Sequence, residues 1–105
     1  MSAGTVHSRH ESDHVTLVLE GELDREVGVV LVDCVGRELD AAPRRIDIDL
    51  SVVTSFAAEG AAALARCRDL CGHVPDGLHY RTEGGPGQLA LLAAFECEPV
   101  IDQLD

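Results

Sequence analysis

The sequence predicts an α/β domain, a mixed sheet of about four to five strands with helices packed on it. Three observations carry that expectation. Apolar residues alternate in short segments and recur at three- and four-residue steps in longer ones, and the two patterns take turns along the chain. Hydrophobic residues make up 46% of the composition, yet aromatics are only 3% and tryptophan is absent, so the core must be built from Val, Leu, Ile and Ala. Side chains of that size suit close helix–sheet packing better than the interior of a β-sandwich. Finally, 105 residues fit one domain. Residues 14–105 form it, and residues 1–13 are a flexible or edge-strand amino terminus.

The elements run in order. Ser2 to Arg9, with Thr5-Val6-His7, reads as a short edge strand or a loose end, paired only loosely with the next strand. His14–Glu20 is a strand in which Val15, Leu17 and Leu19 share one face, and Gly21 ends it. Asp24 is placed to cap a helix that begins at Arg25, since its carboxylate can accept from a free N–H of the first turn. From Arg25 to Asp40, Val27, Val30, Leu31, Cys34, Val35 and Leu39 trace an amphipathic face. Gly28 and Gly36 weaken this helix by about 1 kcal/mol each relative to Ala. Ile46, Ile48 and Leu50 alternate with Asp47 and Asp49 as the next strand, and Ser51–Ala58 reads as a connecting loop.

Glu59–Gly72 is a small-residue helix, Gly60-Ala61-Ala62-Ala63-Leu64-Ala65 at its start, of the kind that lies very close to a sheet. Pro75-Asp76-Gly77 turns the chain into a strand at Leu78–Thr82. Glu83–Gly87 is a loop, Pro86 suits the start of a helix over Gln88–Phe95, and Val100 and Ile101 suit a last short strand. The strand–helix–strand units imply right-handed crossovers.

Charge narrows the function. A formal net charge of −11 argues against nucleic acid and anionic membrane surfaces, both of which select Lys and Arg. It fits a partner with a basic patch, or simply a solvated acidic surface. No segment approaches the roughly 18 apolar residues of a membrane span, and Met1–Asp13 has no apolar core of a secretory signal. A cytoplasmic protein is expected, with Cys34, Cys67, Cys71 and Cys97 as reduced thiols.

Two segments resemble the STAS family, whose best-known members are bacterial anti-sigma factor antagonists. Gly21-Glu22-Leu23-Asp24 lies directly between a strand and a helix, and Asp49-Leu50-Ser51-Val52-Val53-Thr54 runs from a strand end towards Gly60 and an Ala/Leu helix. Their spacing also matches, and the resemblance extends from about Val15 to Leu104. It implies a STAS-like fold and a regulator that binds an anti-sigma factor to influence sigma-factor-dependent transcription, with no catalytic activity and no cofactor. An accessory STAS subunit of a transporter or signalling assembly is the alternative.

The resemblance further implies a partner-binding surface at Asp24, Ser51, Thr54, Ser55, Ala58, Glu59 and Gly60. In phospho-switch members the second segment ends in Asp-Ser-Ser-Gly, whose second Ser is phosphorylated. Those positions are Ala57, Ala58, Glu59 and Gly60 here, so only the glycine matches and Glu59 stands in the acceptor position. Phosphorylation at the usual site is not expected. Glu59 either mimics the phosphorylated state or is an ordinary first-turn acid stabilising a helix end. Ser51, Thr54 and Ser55 remain as hydroxyls that could accept phosphate, though such residues more often cap helices or bond turns.

Other constellations give less. Cys67 and Cys71, four apart on one helix face, are expected as buried thiols and not as a redox pair. His73 beside them lacks the ligand spacing of a zinc site, and no metal is expected. His7, His10 and His14 read as part of a solvated acidic end. Gly84-Gly85-Pro86-Gly87 reads as a turn, since proline removes an N–H that an anion cradle would use.

Overall fold

In a computed structural model, which describes residues 4–96, the described chain forms β1 (Thr5–His10), β2 (His14–Leu23), α1 (Arg25–Leu39), β3 (Arg45–Phe56), α2 (Ala58–Leu70), β4 (Leu78–Arg81) and α3 (Gly85–Glu96). The sheet order is β1-β2-β3-β4, with β1 antiparallel to β2 and the other pairs parallel. Both crossovers, β2–α1–β3 and β3–α2–β4, step the same way across the sheet. Right-handed connections therefore place α1 and α2 on the same face. The α/β expectation of a mixed sheet with helices on it is met with four strands among the described residues. The strand expected at Val100 and Ile101 lies outside them.

Alternation decides which way each strand faces. Val15, Leu17 and Leu19 on β2 and Ile46, Ile48 and Leu50 on β3 point beneath the helices and are fully buried. The opposite face is polar, with Arg9, Thr16, Asp47 and His79 in one cross-strand row and His7, Val18, Asp49 and Arg81 in the next. Val27, Leu31 and Val35 of α1 and Ala61, Leu64 and Cys67 of α2 close the core from above. Two aromatic rings complete that layer. Tyr80 donates its hydroxyl to the Leu64 carbonyl and meets Phe95 edge-on at 5.7 Å, while the Arg68 guanidinium lies 4.8 Å over the Phe95 ring.

Of the two readings of the first residues, the edge strand is the one found, and its pairing is not loose: all six residues of β1 pair with β2 from Thr5↔Glu20 to His10↔Val15, the turn being closed by the Glu11 N–H on the His14 carbonyl at 2.9 Å. The His10 ring also reaches the Glu38 carboxylate at 2.9 Å, tying β1 to α1. Three further expectations are corrected. β2 runs through Gly21, whose φ of +84° bends the strand without ending it. Ser51–Ala58 is not a loop, because β3 continues to Phe56 with one residue too many at two places, between the pairs Val18↔Asp49 and Glu20↔Val52 and again between Gly21↔Val53 and Glu22↔Ser55. These bulges break the alternation that marks a strand in sequence. Lastly, α3 begins at Gly85, so Gly85, Pro86 and Gly87 are its first turn.

Two glycines of the helices differ in what they tolerate. A Cβ on Gly60 would run into the backbone carbonyl of Leu23, whereas one on Gly36 would meet nothing within 4 Å. Gly60→Ala should therefore destabilise the fold by about 1–3 kcal/mol through overpacking against backbone. Gly36→Ala should stabilise it by about 0.5–1 kcal/mol, as expected for a helix interior with open space. Urea unfolding of both variants checks the pair, and equal effects would contradict this account of the two sites.

Candidate partner-binding site

The segments Gly21–Asp24 and Phe56–Gly60 are far apart in sequence and meet at one end of the sheet. Leu23 and Phe56 are the last paired residues of β2 and β3. The Ala57 N–H donates to the Leu23 carbonyl at 3.0 Å, and Gly60 sits against the carbonyls of Leu23 and Asp24. Helices α1 and α2 thus start side by side from neighbouring strand ends. Gly28 continues the contact, for a Cβ there would lie 3.0 Å from that of Ala63 and 3.4 Å from the Gly60 Cα.

The two helix starts are finished differently. Asp24 caps α1 as expected, its Oδ1 accepting from the Val27 N–H at 2.9 Å. Ala57 occupies the cap of α2 and offers no side-chain hydrogen bond. Glu59 is exposed in the first turn of α2, where free N–H groups and the helix dipole favour a negative charge. Thr54 and Ser55 are exposed on the bulged part of β3, and Ser55 stands opposite Glu22, a like charge to any phosphate placed there.

Of the residues expected at this surface, Asp24, Ala58, Glu59 and Gly60 share the helix starts, and Thr54 and Ser55 border them. Gly60 is buried there and contributes spacing, not contact. Ser51 does not join the group. It lies within the first bulge, away from the helix starts, and its Oγ donates to Asp49 Oδ1 at 2.6 Å, while its N–H reaches the same oxygen at 2.9 Å.

One feature beside this end has only a faint sequence signal. A groove of about 400 Å³ runs between α1 and α2, with Gly28, Val29, Val32, Ala62 and Ala63 as its apolar lining and Arg25, Glu59 and Arg66 on its rim. Both helices contribute the same i, i+3, i+4, i+7 stripe, residues 25, 28, 29 and 32 from one and 59, 62, 63 and 66 from the other. Small residues and an arginine at that spacing are the only sign of it in the sequence.

The thiols offer no comparable chemistry. Cys67 and Cys71 are buried and unbridged, as expected, and Cys34 is half-buried. Burial, with the neighbouring Cys71 adding to it, pushes the Cys67 thiol up to about 12, and burial raises Cys71 as well. A reactive cysteine needs the opposite shift. Among the described residues no three His, Cys, Asp or Glu side chains converge as metal ligands, and no helix is long and apolar enough to cross a membrane.

Comparison with known proteins now identifies the family. The family model described as "Mlab, STAS domain" matches residues 6–98, and the chain belongs to the STAS domain family. Among solved structures, an anti-sigma factor antagonist from Mycobacterium paratuberculosis superposes with a TM-score of 0.73 at 21% identity, over 94% of this chain and 88% of that one. A structure described as Mglu superposes with a TM-score of 0.60 at 20% identity, over 74% of this chain but only 19% of that one. Identities this low establish the fold and nothing finer. No curated protein sequence is similar enough to match.

Two outcomes are expected from this geometry. Ala57→Asp supplies the missing cap and should raise stability by about 1 kcal/mol in a urea titration. The reverse change on the other helix, Asp24→Ala, should lower it by about as much. For Cys67 the folded state holds the proton more tightly than the unfolded chain does, so its contribution is intact below pH 9.0 and is lost as pH rises towards about 12. Thermal melts between those limits should show a steeper alkaline decline for the wild type than for Cys67→Ala; parallel declines would refute the assignment.

Proposed function

From that STAS membership we propose that the protein is an anti-sigma factor antagonist-like regulator, a non-catalytic cytoplasmic module that binds an anti-sigma factor and so releases a sigma factor for transcription. The observation that carries this reading is the meeting of Gly21–Asp24 with Phe56–Gly60. It brings Gly21–Asp24, one of the two segments that resemble the family, against the helix start that stands in the place of the family's phosphorylation motif, at one end of the domain. The Mycobacterium structure, described as an anti-sigma factor antagonist, supports it through the fold.

Glu59 defines how this module departs from a phospho-switch. It presents a permanent negative charge in the first turn of α2, where a phosphoserine would bring about −1.5 to −2 and three acceptor oxygens. Ala57 removes the acid that stands beside the acceptor in switching members. Partner binding is then set by expression and by a fixed charge, without a phosphorylation cycle at this position.

Titration of the wild type, Glu59→Ser and Glu59→Ala against the anti-sigma factors of the same organism tests the proposal. Saturable binding of one anti-sigma factor by the wild type or a Glu59 variant supports it. Absence of binding by both the wild type and Glu59→Ser to every candidate would falsify the antagonist reading.

A further inference from the structure

We propose that the groove between α1 and α2 receives an amphipathic helix of a partner protein, its apolar stripe on the groove floor and its flanking carboxylates on Arg25 and Arg66. The inference deepens the binding-module reading above and rests on it. Three residues of the groove are poor choices for an isolated domain. Arg25 is the first residue of α1, at the positive end of the helix dipole, where a cation is unfavourable. It makes no ion pair among the described residues, and neither does Arg66, although the chain carries 19 acidic side chains against eight basic ones. Val29 is 63% exposed, a β-branched side chain that gives its helix neither propensity nor solubility.

All three make sense as contacts. Gly28 brings the helices so close that Val29, Val32, Ala62 and Ala63 form a shallow apolar trough instead of a wall. A third helix can lie in such a trough at ordinary helix–helix distances of about 8–10 Å. Its occupant is chosen by the rim, where two unpaired guanidinium groups outnumber Glu59. Screening over about 8 Å at physiological ionic strength weakens the repulsion from acidic side chains farther off than that. A second copy is a poor occupant, since each copy carries a net charge of −11. Glu59 then has a role: it opposes the incoming carboxylates from the position where switching relatives carry phosphate, and so sets the affinity of the groove.

The test uses labelled peptides of about twenty residues, long enough to hold a helix, with one leucine stripe flanked by Glu in one peptide and by Lys in the other. Binding is read by fluorescence anisotropy at physiological ionic strength and located by amide shifts in the full chain. The Glu-flanked peptide should bind the wild type and shift Gly28, Val32, Ala62 and Ala63. Glu59→Gln should tighten it about two- to five-fold, the range of one exposed charge pair. The double variant Arg25→Glu/Arg66→Glu should weaken it about tenfold and favour the Lys-flanked peptide. That variant should be no less stable than the wild type in urea, which separates lost binding from lost folding.

Binding of neither peptide, a wild-type preference for the Lys-flanked peptide, or shifts confined to the open sheet face would each overturn the inference. The same double variant tells its failure from that of the regulator reading. An anti-sigma factor that binds wild type and variant alike overturns the groove and leaves the regulator. A Glu-flanked peptide that seats in the groove, with no anti-sigma factor binding, leaves the groove and overturns the regulator.

Discussion

The first turn of α2 lies directly on the backbone at the end of β2, and the rest of the molecule is arranged around that approach. Without a side chain, Gly60 reaches the carbonyls of Leu23 and Asp24, and the Ala57 N–H closes the junction on Leu23. Any larger residue would lift α2 off the sheet. Lifting it would open the core that Leu64 and Cys67 share with Ile48 and Leu50, all of which are fully buried. It would also part α2 from Gly28 of α1, so the seat of α2 on β2 and its pairing with α1 depend on one contact. The glycine retained from the switch motif is therefore explained by packing alone. Its presence says nothing about phosphorylation.

That separation of duties runs through the whole end of the domain. Gly60 and Leu23 are buried and fix positions; Ala58, Glu59, Thr54 and Ser55 are exposed and can vary without disturbing the core. A binding module built this way can change its recognition chemistry while keeping its fold. The replacement of an acidic cap by Ala57 illustrates it, because a first turn with an unfilled cap costs only about 1 kcal/mol when tertiary packing holds the helix.

Most of the fold could be read from periodicity, since β2, α1, β4 and the first half of β3 each keep a regular pattern over their length. The amphipathic face of α1 was only partly legible. Val27, Leu31 and Val35 are buried as their spacing implies, but Val30 follows the same spacing and is 47% exposed. A stripe that wide covers more of the helix than the sheet can cover. The second half of β3 was illegible for a different reason. Two extra residues shift its register, so Val52 faces solvent and Val53 the core, and no alternation survives to mark a strand. The site divides likewise: Asp24 and Glu59 were visible because a cap and a first-turn acid have local signatures. Arg25 and Arg66 were not, because a groove exists only once two helices are placed side by side.

The bulges give that end of the sheet its character. An unbroken β3 would send its side chains alternately into the core and onto the polar open face, as Asp47 and Asp49 show. With two residues added, the strand twists and delivers the chain to the start of α2 beside Leu23. Thr54 and Ser55 are consecutive and both exposed, which regular pleating beside a buried core does not allow. The irregularity thus turns a sheet edge into a surface: it presents hydroxyls, an acid and two helix starts together on a domain whose other faces are committed to packing or to solvent. Strand irregularity and this exposed end have the same origin in the chain, in residues that sequence patterning assigns to a loop.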